Sequence, residues 1–169
     1  MSYQWVEEVL PKIIATRQAK GFRPTTREAG SFCTKLLHVL SELEELKEAA
    51  GEEATAAFEE ECADVGMLLL VIIYDLSPQD IQALACLDDA KDLLEGRDPP
   101  GSVYGKIITA WDCWHRDEIE EAIGQLVLAA VYHLMYCTAH KIDLKSAILR
   151  KDEKNRSRSR LFGGKHPDS

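Results

Sequence analysis

Two acidic pairs carry the spacing that chemistry would need: Glu42 with Glu45, and Glu61 with Asp64. Both lie in the stretch KLLHVLSELEELKEAAGEEATAAFEEECAD from Lys35 to Asp64. Residues three apart on a helix project from neighbouring positions on one face. Two such helices packed antiparallel can therefore aim four carboxylates into one space, where they repel unless cations join them. Hard divalent ions that prefer oxygen, Mg²⁺ above all, suit such a cluster, and a hydrated Mg²⁺ site is what phosphate-ester chemistry needs. Either pair alone is uninformative, because E-x-x-E arises often on solvated helical faces. Two pairs on adjacent helices, each beside an apolar stripe, carry more weight.

The elements that must position these acids are legible in the apolar rhythm. Leu36, Leu40, Leu43 and Leu46 mark a helix over about 26–49, with Thr25 or Thr26 as N-cap and Gly51 as its stop. Glu42 flanks that stripe and Glu45 faces away from it. His38 lies one turn before Glu42 on the same side, placed either to meet a substrate or to pack as a structural residue. A second helix over about 53–75 packs Phe58, Cys62, Val65, Leu69 and Ile72, which puts Glu61 and Asp64 at the edge of its stripe. Its later part, GMLLLVIIY, is apolar all round and calls for burial on several sides, in a bundle centre or an oligomer interface.

Around this pair, an amphipathic helix is expected over 3–20 despite Pro11, followed by the breaker GFRPTTREAG. Arg17, Lys20 and Arg23 fringe that break, as a solvated face or as phosphate contacts. Ser77-Pro78 opens a helix expected to run to Gly96, and GRDPPG ends it. Further helices are expected over about 103–115, 117–140 and 143–155, the last capped by Asp143. No strand pattern appears, so the fold class is all-α, a single domain over 1–169.

Composition narrows the partners. The net charge of −9 conceals an asymmetry: residues 150–169 hold seven Lys/Arg against three acids, leaving 13 basic and 26 acidic residues before them. An acidic body argues against nonspecific nucleic-acid binding, while a basic tail over 156–169 suits a compact polyanion such as a nucleoside triphosphate. Cys33, Cys62, Cys86, Cys113 and Cys137 make an odd count with no C-x-x-C pair, the pattern of reduced cytosolic thiols. MSYQWVEEV has no basic region leading into an apolar run, so no secretory signal is expected. The longest apolar run, Val65 to Tyr74, is about half the roughly 20 residues a membrane span requires. A cytoplasmic protein without membrane partners is the expectation.

E-x-x-E followed by E-x-x-D on a second helix resembles the metal signature of the all-α nucleotide triphosphate pyrophosphohydrolases, the MazG-like superfamily. KLLHVLSELEELKEA looks like the first motif helix of that family and EECADVGMLLL like its second. IDLKSAILRKDEKNRSRSRLFGGK is similar to the segment that ends many members, a K-x-x-x-N-x-x-R run followed by Gly-Gly-Lys, here Lys151, Asn155, Arg158 and Lys165. The resemblance implies an antiparallel helix bundle that hydrolyses a nucleoside triphosphate to the monophosphate and pyrophosphate. Glu42, Glu45, Glu61 and Asp64 would hold Mg²⁺, with Mn²⁺ as a substitute, and one of them would orient the attacking water. Lys151, Arg158 and Lys165 would hold phosphates, Asn155 would bridge phosphate or sugar, and a homo-oligomer, dimer or higher, is implied. Nucleotide-pool house-cleaning is the generic expectation, a dUTP or dCTP specialist the narrower one. Trp5, Trp111, Trp114, Phe22 and Tyr104 are candidates for stacking on a base. The rival class is a non-catalytic helical nucleotide-binding or scaffold protein.

The chain departs from the family in its middle, where some seventy residues separate the second acidic pair from the terminal segment. KLLHVLSELEEL at 35–46 can be laid over KIITAWDCWHRD at 106–117, and counting back from Ile142-Asp143 puts Gln125 and Leu128 where Glu and Asp should stand. The chain then reads as a tandem duplication, with a motif-bearing helix pair at 26–76 and a degenerate second repeat at 103–155. The alternative is that two amphipathic helix pairs align this loosely by themselves.

Overall fold

The computed structural model of the chain describes residues 3–50, 55–86 and 99–158. They form seven helices in chain order, with no strand among the described residues: α1 (Trp5–Ala19), α2 (Ala29–Ala49), α3 (Ala56–Leu76), α4 (Pro78–Ala85), α5 (Pro99–His115), α6 (Ile119–Ala139) and α7 (Leu144–Ser157). Helices α2 and α3 pair as one hairpin and α5 and α6 as another. Across the two hairpins α2 meets α5 and α3 meets α6; α7 packs on α3, and α1 closes against α7, α4 and α3.

The apolar stretch after Asp64 explains why α3 is the centre. Val65, Gly66, Met67, Leu69, Leu70, Val71, Ile72 and Ile73 are all buried, with α2, α4, α6, α7 and α1 each packed against the helix. The burial demanded by an all-round apolar helix is thus met inside one chain, so this helix gives no argument for an oligomer. At Gly66 an added Cβ would stand 3.4 Å from the Leu144 side chain and 3.5 Å from His133 Nε2, ordinary van der Waals contact, so α6 and α7 come up against α3 here without requiring a glycine. His133 is buried there; its Nε2 lies 2.8 Å from the Cys62 carbonyl, and burial pushes its imidazole down to about 4.

On α2 the buried stripe is Phe32, Leu36, Val39, Leu43 and Leu46, a steady alternation of four- and three-residue steps. It replaces the expected Leu40, which is only half-buried, with Val39. Phe32 is clamped by Trp114 of α5, with ring centroids 3.8 Å apart and planes 12° from parallel. This stripe turns Glu42 inward and leaves Glu45 exposed.

Several boundaries differ from the sequence expectation for identifiable reasons. Neither Thr25 nor Thr26 caps α2, which begins at Ala29 after Glu28. The Thr25 N–H is donated to Asp75 Oδ2 at 2.8 Å and the Thr26 N–H to Ser31 Oγ at 2.9 Å. Helix α4 stops at Ala85 instead of running to Gly96; Leu87, Leu93, Gly96 and the expected stop Gly51 lie outside the described residues. Pro99 is the first residue of α5, so the end of GRDPPG starts a helix, as proline's fixed φ favours. Pro11 lies inside α1. Asp143 does cap α7, accepting from the Ser146 N–H at 3.1 Å, and Thr55 caps α3, accepting from the Phe58 N–H at 3.3 Å.

Helix α6 is long and apolar enough to cross a membrane by composition, yet 67% of that window is buried within the bundle, as befits a core helix. All five cysteines are free, with Cys62, Cys113 and Cys137 buried.

Candidate metal centre and adjoining cleft

The register of α2 and α3 brings Glu42, Glu45 and Glu61 together, each offering a carboxylate oxygen within 4.8 Å of the others. Oxygens on opposite sides of one Mg²⁺ would be about 4.2 Å apart, given bonds of roughly 2.1 Å, so a small inward shift would let three side chains share an ion. Ca²⁺, with longer bonds, would also fit, and the spacing does not choose between them. One carboxyl oxygen of this group, Glu61 Oε2, is buried and has no hydrogen-bond partner. Such an orphan is uncommon in folded chains, and among these carboxylates it is an acceptor that a cation could take up. The donor set, all hard oxygens, fits a hard divalent ion.

The electrostatics agree. Burial, reinforced by the charges of Asp64, Glu45 and Glu42, pushes the Glu61 carboxyl up to about 7, with only Lys151 pulling the other way. Burial raises Asp64 too, against the pull of Lys151 and with the help of Glu42 and Glu60.

Asp64 is not in the tight group of three. Its Oδ2 accepts from Lys151 Nζ at 2.6 Å, and the same ammonium reaches Glu60 Oε1 at 2.8 Å. Lys154 also holds Glu60, at 2.6 Å, and Arg150 holds Glu59, at 2.7 Å. These contacts stitch the basic side of α7 to the acidic side of α3. The hydrogen bonds from Lys151 and Lys154 hold Glu60 down to about 2; burial works against the charge on Lys151, but its bonds to Asp64 and Glu60 prevail and raise its pKa. Lys151 thus takes a counter-ion position beside the acids.

An open cleft of about 130 Å³ adjoins the cluster, smaller than the roughly 300–1,000 Å³ of typical small-molecule sites. Glu42, Asp64, His38 and Asn155 line it together with Arg17, Lys20, Phe22 and Asp152. Half-buried His38 and Asn155 are therefore brought to the acids by the packing of α2 and α7 on α3. Arg17, Lys20 and Phe22 come from α1 and its exit, and only the α1–α7 contact shows their place. Arg17 stands 4.6 Å over the Phe22 ring, and burial lowers its pKa against the pull of Asp75. Lys20 Nζ donates to the carbonyls of Arg156, at 3.0 Å, and Arg158, tying α1 to the end of α7.

Other expected site residues are not brought here. Arg158 is exposed beyond α7 and is not among the residues lining the cleft, because its backbone has already turned extended. Lys165 and most of the 156–169 tail lie outside the described residues. Of the aromatic candidates only Phe22 lines the cleft; Trp114 is in the core against Phe32, and Trp111 stacks on His115 at 5.2 Å. At the corresponding positions of the second hairpin Cys113 is buried, Arg116 pairs with Asp112 and Glu118 at 3.3 Å each, and Gln125 donates to Glu121 at 2.9 Å. The only metal-competent group among the described residues is the one on α2 and α3.

No family model, curated protein or solved structure matches this chain.

Proposed function

We propose that the protein is a Mg²⁺-dependent pyrophosphohydrolase of MazG-like type, cleaving a (deoxy)nucleoside triphosphate to the monophosphate and pyrophosphate. The observation that carries this is the convergence of Glu42, Glu45 and Glu61, with an orphaned Glu61 oxygen, beside a cleft lined by Glu42, Asp64 and two cationic side chains. Glu42, Glu45 and Glu61 would hold the ion, with Asp64 joining once Lys151 lets it go. When bound, a divalent cation supplies charge neutralisation at phosphoryl oxygens and an acidified water. The chain's own parts do the rest. Lys151, displaced from Asp64, swings to the β- and γ-phosphates as a point charge, and Arg17 adds a planar fork at the cleft wall. His38 and Asn155 orient the nucleoside, and the apolar surface of Met67 and Leu68 keeps water from its ring.

The packing of α2 on α5 and α3 on α6 supports reading the bundle as a fused pseudo-dimer whose second hairpin has lost its acids. One observation favours the rival, a non-catalytic nucleotide-binding or scaffold protein: the Lys151–Asp64 pair already satisfies one acid without a metal. Pyrophosphate release from a panel of canonical and modified dNTPs with Mg²⁺ separates the two. Turnover by wild type and none by a folded Glu45→Gln variant is expected. No turnover of any nucleotide, wild type and variant alike, would favour the rival.

A further inference from the structure

Asp152 is a buried acid of the cleft that the acidic cluster does not use. It is 2% exposed, on α7, and one of its oxygens is fully engaged: Arg156 donates to Oδ2 at 2.7 Å while its Nε donates to Thr16 Oγ1 at 3.1 Å. That bracing across α1 and α7 fixes the carboxylate. The other oxygen, Oδ1, is buried and has no hydrogen-bond partner. A braced acid with one orphaned acceptor in the lining of a cleft is placed for a donor arriving on a ligand.

The surroundings say what kind of donor. Asn155 follows three residues later on α7, so it lies one turn along the same helix and offers both a donor and an acceptor. Phe22, Met67 and Leu68 supply apolar surface in the same lining, with His38 and Thr16 as further polar groups and Arg17, Lys20, Glu42 and Asp64 as the charged ones. A flat heterocycle with polar edges suits that mixture. In its ion pair with Arg156 the carboxylate offers acceptors only, and the natural complement of an aspartate on a base edge is an exocyclic amine, as on cytosine N4. A keto base would bring a carbonyl oxygen to the same point and leave two acceptors facing each other.

We propose that Asp152 reads the base in this cleft, accepting a hydrogen bond from an exocyclic amine and so favouring cytosine- and adenine-bearing nucleotides over those of uracil and thymine. This rests on reading the cleft as the nucleotide site, and it names the substrate class that site takes.

The test is calorimetric titration of the full chain with dCMP, dUMP and the dCMP analogue carrying hydrogen in place of the 4-amino group, with dAMP and dTMP as a second pair. Wild type should bind dCMP about tenfold tighter than dUMP and than the des-amino analogue, the low end of one good base-edge contact. Asp152→Asn, verified folded by circular dichroism, should lose most of that preference. The ligand-side comparison needs no variant, so a misfolded Asp152→Asn leaves the proposal exposed to refutation. Equal affinity of wild type for the three pyrimidine ligands, no binding at millimolar concentration, or a folded variant with undiminished preference overturns it. Parallel pyrophosphate assays keep the two readings apart. Turnover with equal kcat/KM on dCTP and dUTP overturns base reading and leaves the hydrolase standing; monophosphate discrimination without turnover supports base reading and sinks the hydrolase.

Discussion

Replacing Lys151 by methionine should unbalance the centre in a way that a metal ion can repair. The ammonium is 12% exposed and serves Asp64, 21% exposed, and Glu60, 35% exposed. Stripping the partner from a fully buried charge costs about 3–5 kcal/mol, whereas a solvent-exposed pair is worth less than about 1 kcal/mol. A nearly buried donor with two half-buried acceptors falls between, at about 2 kcal/mol. For 169 residues the unfolding entropy is about 0.35 kcal/mol/K, so the melting midpoint should drop by about 6 °C near neutral pH. Saturating Mg²⁺ should stabilise both proteins, by about 2.7 kcal/mol at a hundred times the Kd, and should shrink the deficit because the variant, with no ammonium to displace from Asp64, binds the ion more tightly. Thermal melts of wild type and Lys151→Met, with and without Mg²⁺, measure both effects. Acid offers an internal check. Glu60 is held below its ordinary value, so its pairing stabilises the fold above 4.5 and is lost as pH falls toward about 2. The variant's deficit should shrink over that window. A variant melting with wild type, or a deficit indifferent to Mg²⁺, would refute the view of Lys151 as a stand-in for the cation.

Because Glu61 is raised to about 7, it holds about half a proton at pH 7, and metal binding should release it; calorimetry in buffers of differing ionisation enthalpy would show this, and no release would count against Glu61 as a ligand. The same raised value means the metal-free fold binds protons more tightly than the unfolded chain, so stability should fall as pH rises from 4.5 to about 7, and Glu61→Gln should flatten that slope in melts. Asp143→Ala removes the α7 cap and should cost about 1 kcal/mol, or about 3 °C in the midpoint, without changing metal affinity. Phe32→Ala, which empties the slot beside Trp114, should cost about 3–5 kcal/mol by denaturant titration.

The all-helical fold and the two acidic pairs were legible because both depend on short-range spacing: apolar residues every three or four positions, and acids three apart. The cap of α2 was not, because Thr25 gives its N–H to Asp75, a partner fifty positions away that local pattern does not show. The choice of Val39 over Leu40 for the buried stripe likewise belongs to packing against α3 and α5. Within the site, Lys151 could be singled out as a cation, but its grip on Asp64 spans 87 positions and appears only when α7 lies on α3. Asp152 was unreadable for the same reason, and for Arg17 the choice between a solvated face and a phosphate contact stayed open, since each gains its place from the contact of α1 with α7, the two ends of the described chain. The apolar run of α3 signalled burial correctly and left open what supplies it; the other helices of the same chain do.

Hydrolysis of a dNTP with Mg²⁺ in heavy-oxygen water, followed by mass spectrometry of both products, tests most directly what the acidic centre does. Attack at the α-phosphorus puts the label in the nucleoside monophosphate and leaves the pyrophosphate unlabelled, with no reaction from Glu45→Gln. Label in the pyrophosphate, release of inorganic phosphate, or turnover surviving the loss of Glu45 would contradict a pyrophosphohydrolase built on Glu42, Glu45 and Glu61.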